Sequence, residues 1–341
     1  MRVRWMMTLM IALPLSTQGQ TVVGKYAGEF LAVGVGGRAL GMGSASVAVA
    51  GDATAGYWNP AGLARITYPQ VVLMHDEQFG SAVNHDYGAV AIPFGTSTSL
   101  GLSVIRLGVD DIPDTRNAGV DAAGNLTYDP AQFSRIDPSR VTYFTSADWA
   151  FLFTYARAAT DDFSYGGNLK LIRRGLGGAS ATGVGVDIGF LYQVHKQIML
   201  GANLQDITTT LLAWNTGRKE LISPTLKLGA AGLVEALGGL FTPAVDFDVR
   251  FENRQYASML HLGRISIDIH SGLEYQLKNV VALRVGYTDV KQLTFGAGFH
   301  LPKLNIDYSF VKFDKQDQLG NTHRISLMFT LESERFKRPT E

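Results

Sequence analysis

The stretch VGVDIGFLYQV, Val184–Val194, decides the fold. Val184, Val186, Ile188, Phe190, Tyr192 and Val194 alternate with Gly185, Asp187, Gly189, Leu191 and Gln193. Successive side chains of a strand point to opposite faces, so one face here is apolar and the other largely polar or glycine. The same period of two recurs further on. Val245, Phe247, Val249 and Phe251 alternate with Asp246, Asp248, Arg250 and Glu252. Ile265, Ile267 and Ile269 alternate with Ser266, Asp268 and His270, and Ile325, Leu327 and Phe329 with Ser326 and Met328. A soluble sandwich turns such an apolar face inward, whereas a membrane barrel turns it to lipid and lines its lumen with the polar face.

Three features favour the barrel. Segments such as 147–160, 163–174, 182–194 and 241–253 are long; a tilted transmembrane strand needs roughly 9–11 residues, against about 5–6 for a soluble one. Aromatic residues recur near strand ends on the apolar face: Trp149, Phe151, Phe163, Tyr165, Tyr192, Phe251, Tyr275, Tyr287, Phe299 and Tyr308. Rings at headgroup level form the girdles of outer-membrane barrels. The third feature is loop rhythm. Strands are expected near 68–76, 85–94, 97–107, 147–159, 163–174, 182–194, 197–206, 223–234, 241–254, 264–276, 279–288, 290–301, 303–313 and 321–333. Short turns follow the second, fourth, sixth, tenth and twelfth, and mostly longer connections follow the odd ones, the longest over 108–146. Short turns on one side and long loops on the other are the outer-membrane pattern, with the short turns in the periplasm. The connection at Asp289 is short and departs from this rhythm. The expected fold class is all-β: a transmembrane antiparallel barrel of about 14 strands with an N-terminal plug inside the lumen.

Residues 1–20 have the order of a secretory signal: Arg2 and Arg4, an apolar run from Trp5 to Leu15, then Ser16, Thr17, Gln18 and Gly19. That run is shorter than the roughly 20 residues of a spanning helix. The chain then divides into a segment at 21–67 that does not alternate and a barrel at 68–341. The net charge is zero and 18% of residues are charged, so no basic excess points to nucleic acid. Cysteine is absent, which removes disulfides, thiolate metal sites and cysteine nucleophiles. The 38 glycines suit strands with tight turns and close backbone approach.

Glycine and alanine dominate Ala27–Ile66, as a compact piece packed against other backbone requires. Asn59-Pro60 marks a turn, and Asp52 is placed to cap the short stretch that follows it. The run Gly36-Gly37-Arg38-Ala39-Leu40-Gly41-Met42-Gly43, then Asp52 and Tyr57-Trp58-Asn59-Pro60-Ala61-Gly62-Leu63, resembles the opening of the PorV/PorQ family. That family is itself similar to the FadL group of hydrophobic-compound transporters. Asn203–Trp214, Phe247–Arg254 and Leu319–Glu332 extend the resemblance over nearly the whole mature chain. It implies a hatch entering a fourteen-stranded barrel, and an accessory role in type IX secretion through extracellular loops that bind exported proteins. PorV-like chains usually carry larger loops than this one.

Enzyme motifs are missing. There is no GxxxxGK[ST] and no GxSxG, and Gly34-x-Gly36 lacks the βαβ context of a dinucleotide loop. The seven histidines form no HxxxH or HExxH pair, so neither a metal nor another cofactor is expected. His270 and His300 fall on the lumen face, where a solvated role is expected. The same face carries Lys170, Asp187, Asp246, Asp248, Arg250, Glu252, Asp268, Glu274, Arg284 and Asp307. These charges either neutralise one another and hold the hatch, with Arg38 a natural partner for the acids, or line a polar path. The acids of the 108–146 loop fit no EF-hand, but its Tyr128, Phe133, Tyr143 and Phe144 are candidate anchors for a protein partner.

The sequence therefore supports a non-enzymatic barrel in contact with outer-membrane lipid. The first expectation is a PorV/PorQ-type secretion accessory. The alternative is a FadL-like channel for small hydrophobic ligands, with an apolar pocket beside the hatch and a lateral opening. An outer-membrane enzyme is the weakest of the three.

Overall fold

The computed structural model describes residues 21–22, 27–79, 82–252, 254, 257–311 and 322–339. The signal-like stretch at 1–20 and the connection before the last strand, 312–321, lie outside them. Fourteen strands follow one another around a closed wall. They are β1 (Gln70–Gln78), β2 (Val83–Phe94), β3 (Thr98–Asp114), β4 (Thr142–Ala158) and β5 (Phe163–Leu176). Next come β6 (Ala179–His195), β7 (Ile198–Gln205), β8 (Thr225–Gly232), β9 (Gly239–Arg250) and β10 (Ile265–Leu277). The circuit ends with β11 (Val281–Tyr287), β12 (Leu293–Leu301), β13 (Leu304–Val311) and β14 (Thr322–Thr330). Each pairs antiparallel with the next, and β14 pairs with β1 in the register Leu73↔Leu327, which closes the ring. Closure leaves no sheet edge unpaired in lipid.

The apolar face of the deciding stretch points outward. Phe190 is 44% exposed while Asp187 beside it is 1% exposed. A soluble sandwich would show the reverse, so the barrel alternative holds. Aromatic side chains cluster on the outer wall at the short-turn end, where Phe163 stacks on Phe190 and Phe241 meets Tyr275 at a tilt. Among the described residues, no helix is long and apolar enough to cross a membrane.

The loop rhythm holds, with local corrections. The β11–β12 connection at 288–292 belongs to the long-loop end although it is short. The connection between β5 and β6 is a two-glycine turn, Gly177 and Gly178, both at positive φ. The loop expected at 108–146 is shorter than expected. Strands β3 and β4 continue as a paired ribbon as far as Asp114 and Thr142, across a bulge near Asp110–Asp111. Tyr143 and Phe144 therefore sit on a strand, because backbone pairing continues above the bilayer wherever both chains stay extended. A second hairpin, Thr210–Trp214 with Lys219–Ile222, takes over the pairing with the long-loop half of β6 after β7 ends. Thr21–Val22 pairs parallel with this hairpin.

Residues 27–66 lie inside the wall as two short helices, α1 (Gly37–Gly41) and α2 (Ala55–Trp58), and 3₁₀ turns at Glu29–Leu31 and Pro60–Arg65. Leu40, Trp58 and Leu63 of this segment are buried with inward-facing Val72, Ile105, Leu152 and Ile172 of the wall. The chain after β14 folds back across the short-turn end. There Arg338 donates from Nε to the Ile66 carbonyl at 3.0 Å and from Nη2 to Ser99 Oγ at 2.6 Å.

Candidate functional site

The contact between the lumenal segment and the wall carries nearly all the polar chemistry. The segment approaches so closely that the wall must lack side chains beneath it. A Cβ on Gly286 would stand 2.1 Å from the Gly43 nitrogen, and one on Gly166 would stand 2.7 Å from the Pro60 carbonyl carbon. No real Cβ approaches backbone that closely, so glycine is required at both wall positions.

Wall side chains then reach the segment's backbone. The Gly37 amide donates to Ser326 Oγ at 2.9 Å. Thr294 Oγ1 accepts from the Gly43 amide and donates to the Gly41 carbonyl, each at 3.0 Å. Gly36 and Gly43 hold positive φ at the two ends of α1. Asp246 Oδ2 accepts from the amides of Ser46 and Val47 at 2.6 and 2.8 Å. Such charge-assisted bonds are the stronger kind. Asp52 caps the segment before α2, its Oδ1 accepting from the Thr54 amide at 2.8 Å.

The Asn59-Pro60-Ala61 element is a second fixed point. Asn59 is extended before the proline, as proline demands of its predecessor. Its Oδ1 accepts from the Ala61 amide at 3.2 Å, while Nδ2 donates to Val47 O at 2.9 Å and to Phe190 O at 3.0 Å. One buried side chain thus ties two parts of the segment to β6. Asn203 Nδ2 adds a bond to the Trp58 carbonyl, and the Trp58 indole donates to Val35 O, both at 2.9 Å. Gly62, on the following turn, packs against the Ala50 carbonyl.

The charges form separate groups. Arg38 binds Glu274 through two bonds, Nη2 to Oε1 at 2.8 Å and Nε to Oε2 at 3.1 Å. The Glu274 carboxylate raises the Arg38 pKa further, so this guanidinium stays charged. Arg284 then bridges Glu274 at 2.6 Å and Asp307 at 2.7 Å. Lys170 lies between Asp187 at 3.0 Å and Asp206 at 2.8 Å. Asp248 meets Lys227 and lies 3.6 Å from His270, and Asp268 meets Arg254. Arg250 and Glu252 stand at the long-loop mouth, with Arg250 3.6 Å from Glu29. His270 is not solvated: it is buried, with Nδ1 3.0 Å from the Gly43 carbonyl. Opposite charges thus pair at neighbouring positions instead of lining one continuous path.

Several participants were not singled out from the sequence. Lys227 alternates with Leu226 and Leu228, a readable inward position. Asp206 sits at positive φ where β7 leaves the wall, so no periodicity marks it. Asp76 is fully buried against Arg324 at 2.9 Å. At the loop, Tyr128 is 72% and Tyr143 65% exposed, whereas Phe133 packs on Gly119 and Phe144 is half-buried near Gly177.

A cavity of about 260 Å³ lies between the segment and the wall on the short-turn side. Trp58, Val72, Val49 and Met328 make its apolar part; Arg38, Glu274, Gln276 and His300 make its polar part. A larger, more apolar groove of about 950 Å³ lies elsewhere, on the outer face of β14, β1, β2 and β3. Backbone pairing is continuous beneath it, so it is a trough and not a lateral opening. Among the described residues, no group of three or more His, Cys, Asp and Glu could hold a metal.

No protein-family model and no curated protein matches the chain. Solved structures do. The toluene transporter TbuX of Ralstonia pickettii is 14% identical, with a TM-score of 0.56 over 88% of this chain and 99% of its own. The CymD monoaromatic hydrocarbon channel is 13% identical, with a TM-score of 0.58 over 88% and 98%. A FadL homologue of Pseudomonas aeruginosa is 12% identical, with a TM-score of 0.51 over 86% and 98%. The chain has the fold of these outer-membrane barrels. At such identities the likeness establishes architecture, and function rests on the site. The apolar outer wall agrees with an outer-membrane location.

Proposed function

We infer that the protein is an outer-membrane channel for small hydrophobic compounds, with residues 27–66 acting as a hatch. The observation that carries this reading is the cavity beside the Arg38–Glu274 contact. It offers an apolar wall around Trp58 and a polar rim, and its 260 Å³ can take a single small ring. A cavity of about 150 Å³ lined by aliphatic and aromatic groups already binds benzene. The three similar barrels support the reading, since their names describe a toluene transporter, a monoaromatic hydrocarbon channel and a FadL homologue. Passage requires the hatch to shift, because its backbone packs directly against the wall.

Membranes containing the native protein or the Trp58→Ala variant, which removes the apolar wall of the cavity, are tested for uptake of radiolabelled toluene. Uptake above that of membranes lacking the protein, and lowered in Trp58→Ala, supports the channel. Uptake by the native protein no greater than by membranes lacking it sinks the reading.

A second reading keeps the secretion role. Its support is the pair of exposed rings at the long-loop end, Tyr143 on the paired ribbon and Tyr128 on the loop beyond it. Co-purification of exported proteins, lost in the Tyr128→Ala, Tyr143→Ala variant, would favour it over transport.

A further inference from the structure

The cavity beside the hatch changes character along a single row of the wall. Val72 of β1 pairs with Met328 of β14, Met328 with Asn305 of β13, and Asn305 with His300 of β12. All four side chains line the same 260 Å³. Side chains directly opposite one another on neighbouring strands share a face and lie about 5 Å apart. The row therefore passes from two apolar groups to two polar ones at one level of the barrel. Trp58 and Val49 close the cavity from the hatch side.

The polar end keeps hydrogen-bonding capacity in reserve. Gln276 of β10 reaches across β11, where its neighbour Ala282 is too short to intervene, and its Nε2 lies 2.9 Å from His300 Nδ1. An amide nitrogen can only donate, so Nδ1 accepts and the neutral ring carries its proton on Nε2. Among the described residues that N–H has no acceptor. Asp307 Oδ1, the carboxylate oxygen beside it, is 4.0 Å away and already accepts from Arg284. The Asn305 side-chain amide likewise makes no hydrogen bond among the described residues. Two neighbouring side chains thus offer a donor and an acceptor at one end of the cavity.

We propose that this cavity takes a small phenol, a single aromatic ring carrying a neutral hydroxyl. The ring lies over Val72 and Met328 against Trp58. The hydroxyl oxygen accepts from His300 Nε2, and its proton is donated to Asn305 Oδ1. The proposal rests on the channel reading, whose cavity it takes as the ligand site, and deepens it by naming the class. An aromatic hydrocarbon fills the apolar end and leaves both polar groups unmatched. An aromatic carboxylate would meet the carboxylates of Asp52, Glu274 and Asp307, while Arg38, the one guanidinium lining the cavity, is already engaged by Glu274. An aromatic cation would meet Arg38 and the His300 N–H.

The test is equilibrium dialysis of the purified full chain in micelles, against protein-free micelles, with p-cresol and toluene, which differ by one hydroxyl. One p-cresol per chain is expected, bound about tenfold more tightly than toluene. His300→Leu and Asn305→Leu should each bring the two ligands to within about twofold of one another, while the variants still run as heat-modifiable barrels and still bind toluene. Benzoate should not displace p-cresol. Equal affinity of the native chain for p-cresol and toluene, a preference that survives both substitutions, or displacement by benzoate would overturn the proposal. Ligand class and transport separate here: a chain that binds p-cresol with this preference yet fails the uptake test keeps the assignment and loses the channel.

Discussion

Arg38 and Glu274 meet across the hatch–wall contact through two parallel hydrogen bonds, Nη2 to Oε1 at 2.8 Å and Nε to Oε2 at 3.1 Å. Glu274 is buried and also binds Arg284. Arg38→Ala therefore leaves the carboxylate with one guanidinium instead of two. The cost is about 1.5–3 kcal/mol, that of hydrogen bonds to a charged group. It should fall on the hatch and spare the barrel. Protease should cut within residues 27–66 faster, while heat-modifiable migration of the barrel is kept. Arg38→Lys should restore little, because an ammonium cannot make the paired fork. Unchanged protease resistance of the segment in Arg38→Ala would count against this contact as an anchor.

Gly286 faces the backbone of Gly43, with room for no side chain. Gly286→Val keeps β11 competent to pair, since valine favours strands, but drives the hatch away from that wall. Overpacking of this kind costs about 1–3 kcal/mol. The expected result is a leakier barrel. Planar-bilayer conductance should rise above that of the native protein, and large hydrophilic antibiotics should enter cells carrying the variant. A variant as tight as the native protein would mean that the segment does not seal the lumen on the β11 side.

The strands were legible where one face stayed apolar and the other polar or glycine, as in β6, β9 and β10. Their far ends were not, because beyond the bilayer the pattern relaxes while pairing continues. Asp111 takes φ 54° at the bulge that carries β3 onward to Asp114, and nothing in the local sequence announces it. The hairpin at Thr210–Ile222 depends on a distant partner, β6, so local reading places it in a connection. The same holds for the site. Lys227 could be read from its alternation. Gly166 and Gly286 could not be told from ordinary strand glycines until the chain inside was seen.

The loop at 115–141 has a pH response of defined sign. Asp121 Oδ1 accepts from the amides of Asn125 at 2.8 Å and Ala123 at 2.9 Å, and the Asn125 amide above all holds its carboxyl below the ordinary range. The Ser139 hydroxyl, at 2.7 Å, does the same for Asp137. A folded pKa below the unfolded one means that the ordered form binds its proton less readily. Its contribution is then complete above the unfolded value of about 3.9 and is lost as pH falls through the folded value. Loop order should be constant from neutral pH down to about 4 and fade below it. Amide proton shifts of Asn125 and Ser139 report this, and Asp121→Asn should abolish the Asn125 response. A midpoint above the ordinary aspartate value would reverse the sign and refute the assignment.

Arg338 gathers the short-turn end of the molecule. Its Nε donates to Ile66 O at 3.0 Å, Nη1 to Thr98 O at 3.0 Å, and its backbone amide to Thr67 O at 2.8 Å. Ile66 is where the hatch leaves the lumen, and Thr98 begins β3 after the first short turn. A single side chain near the C-terminus therefore ties the end of the hatch to the barrel rim. Hydrogen bonds from a charged donor are worth roughly 1.5–3 kcal/mol each when shielded, and less here, where the tail is partly exposed. Arg338→Ala should lower the thermal midpoint of barrel unfolding only slightly. It should raise hydrogen exchange at Ile66 and Thr67 by a larger factor, because freeing the strap loosens the junction locally. If exchange at that junction does not change, the tail lies on the barrel without restraining the hatch. If it rises along with exchange in α1, the restraint extends from the strap to the Arg38 contact, and the two ends of the segment move as one body.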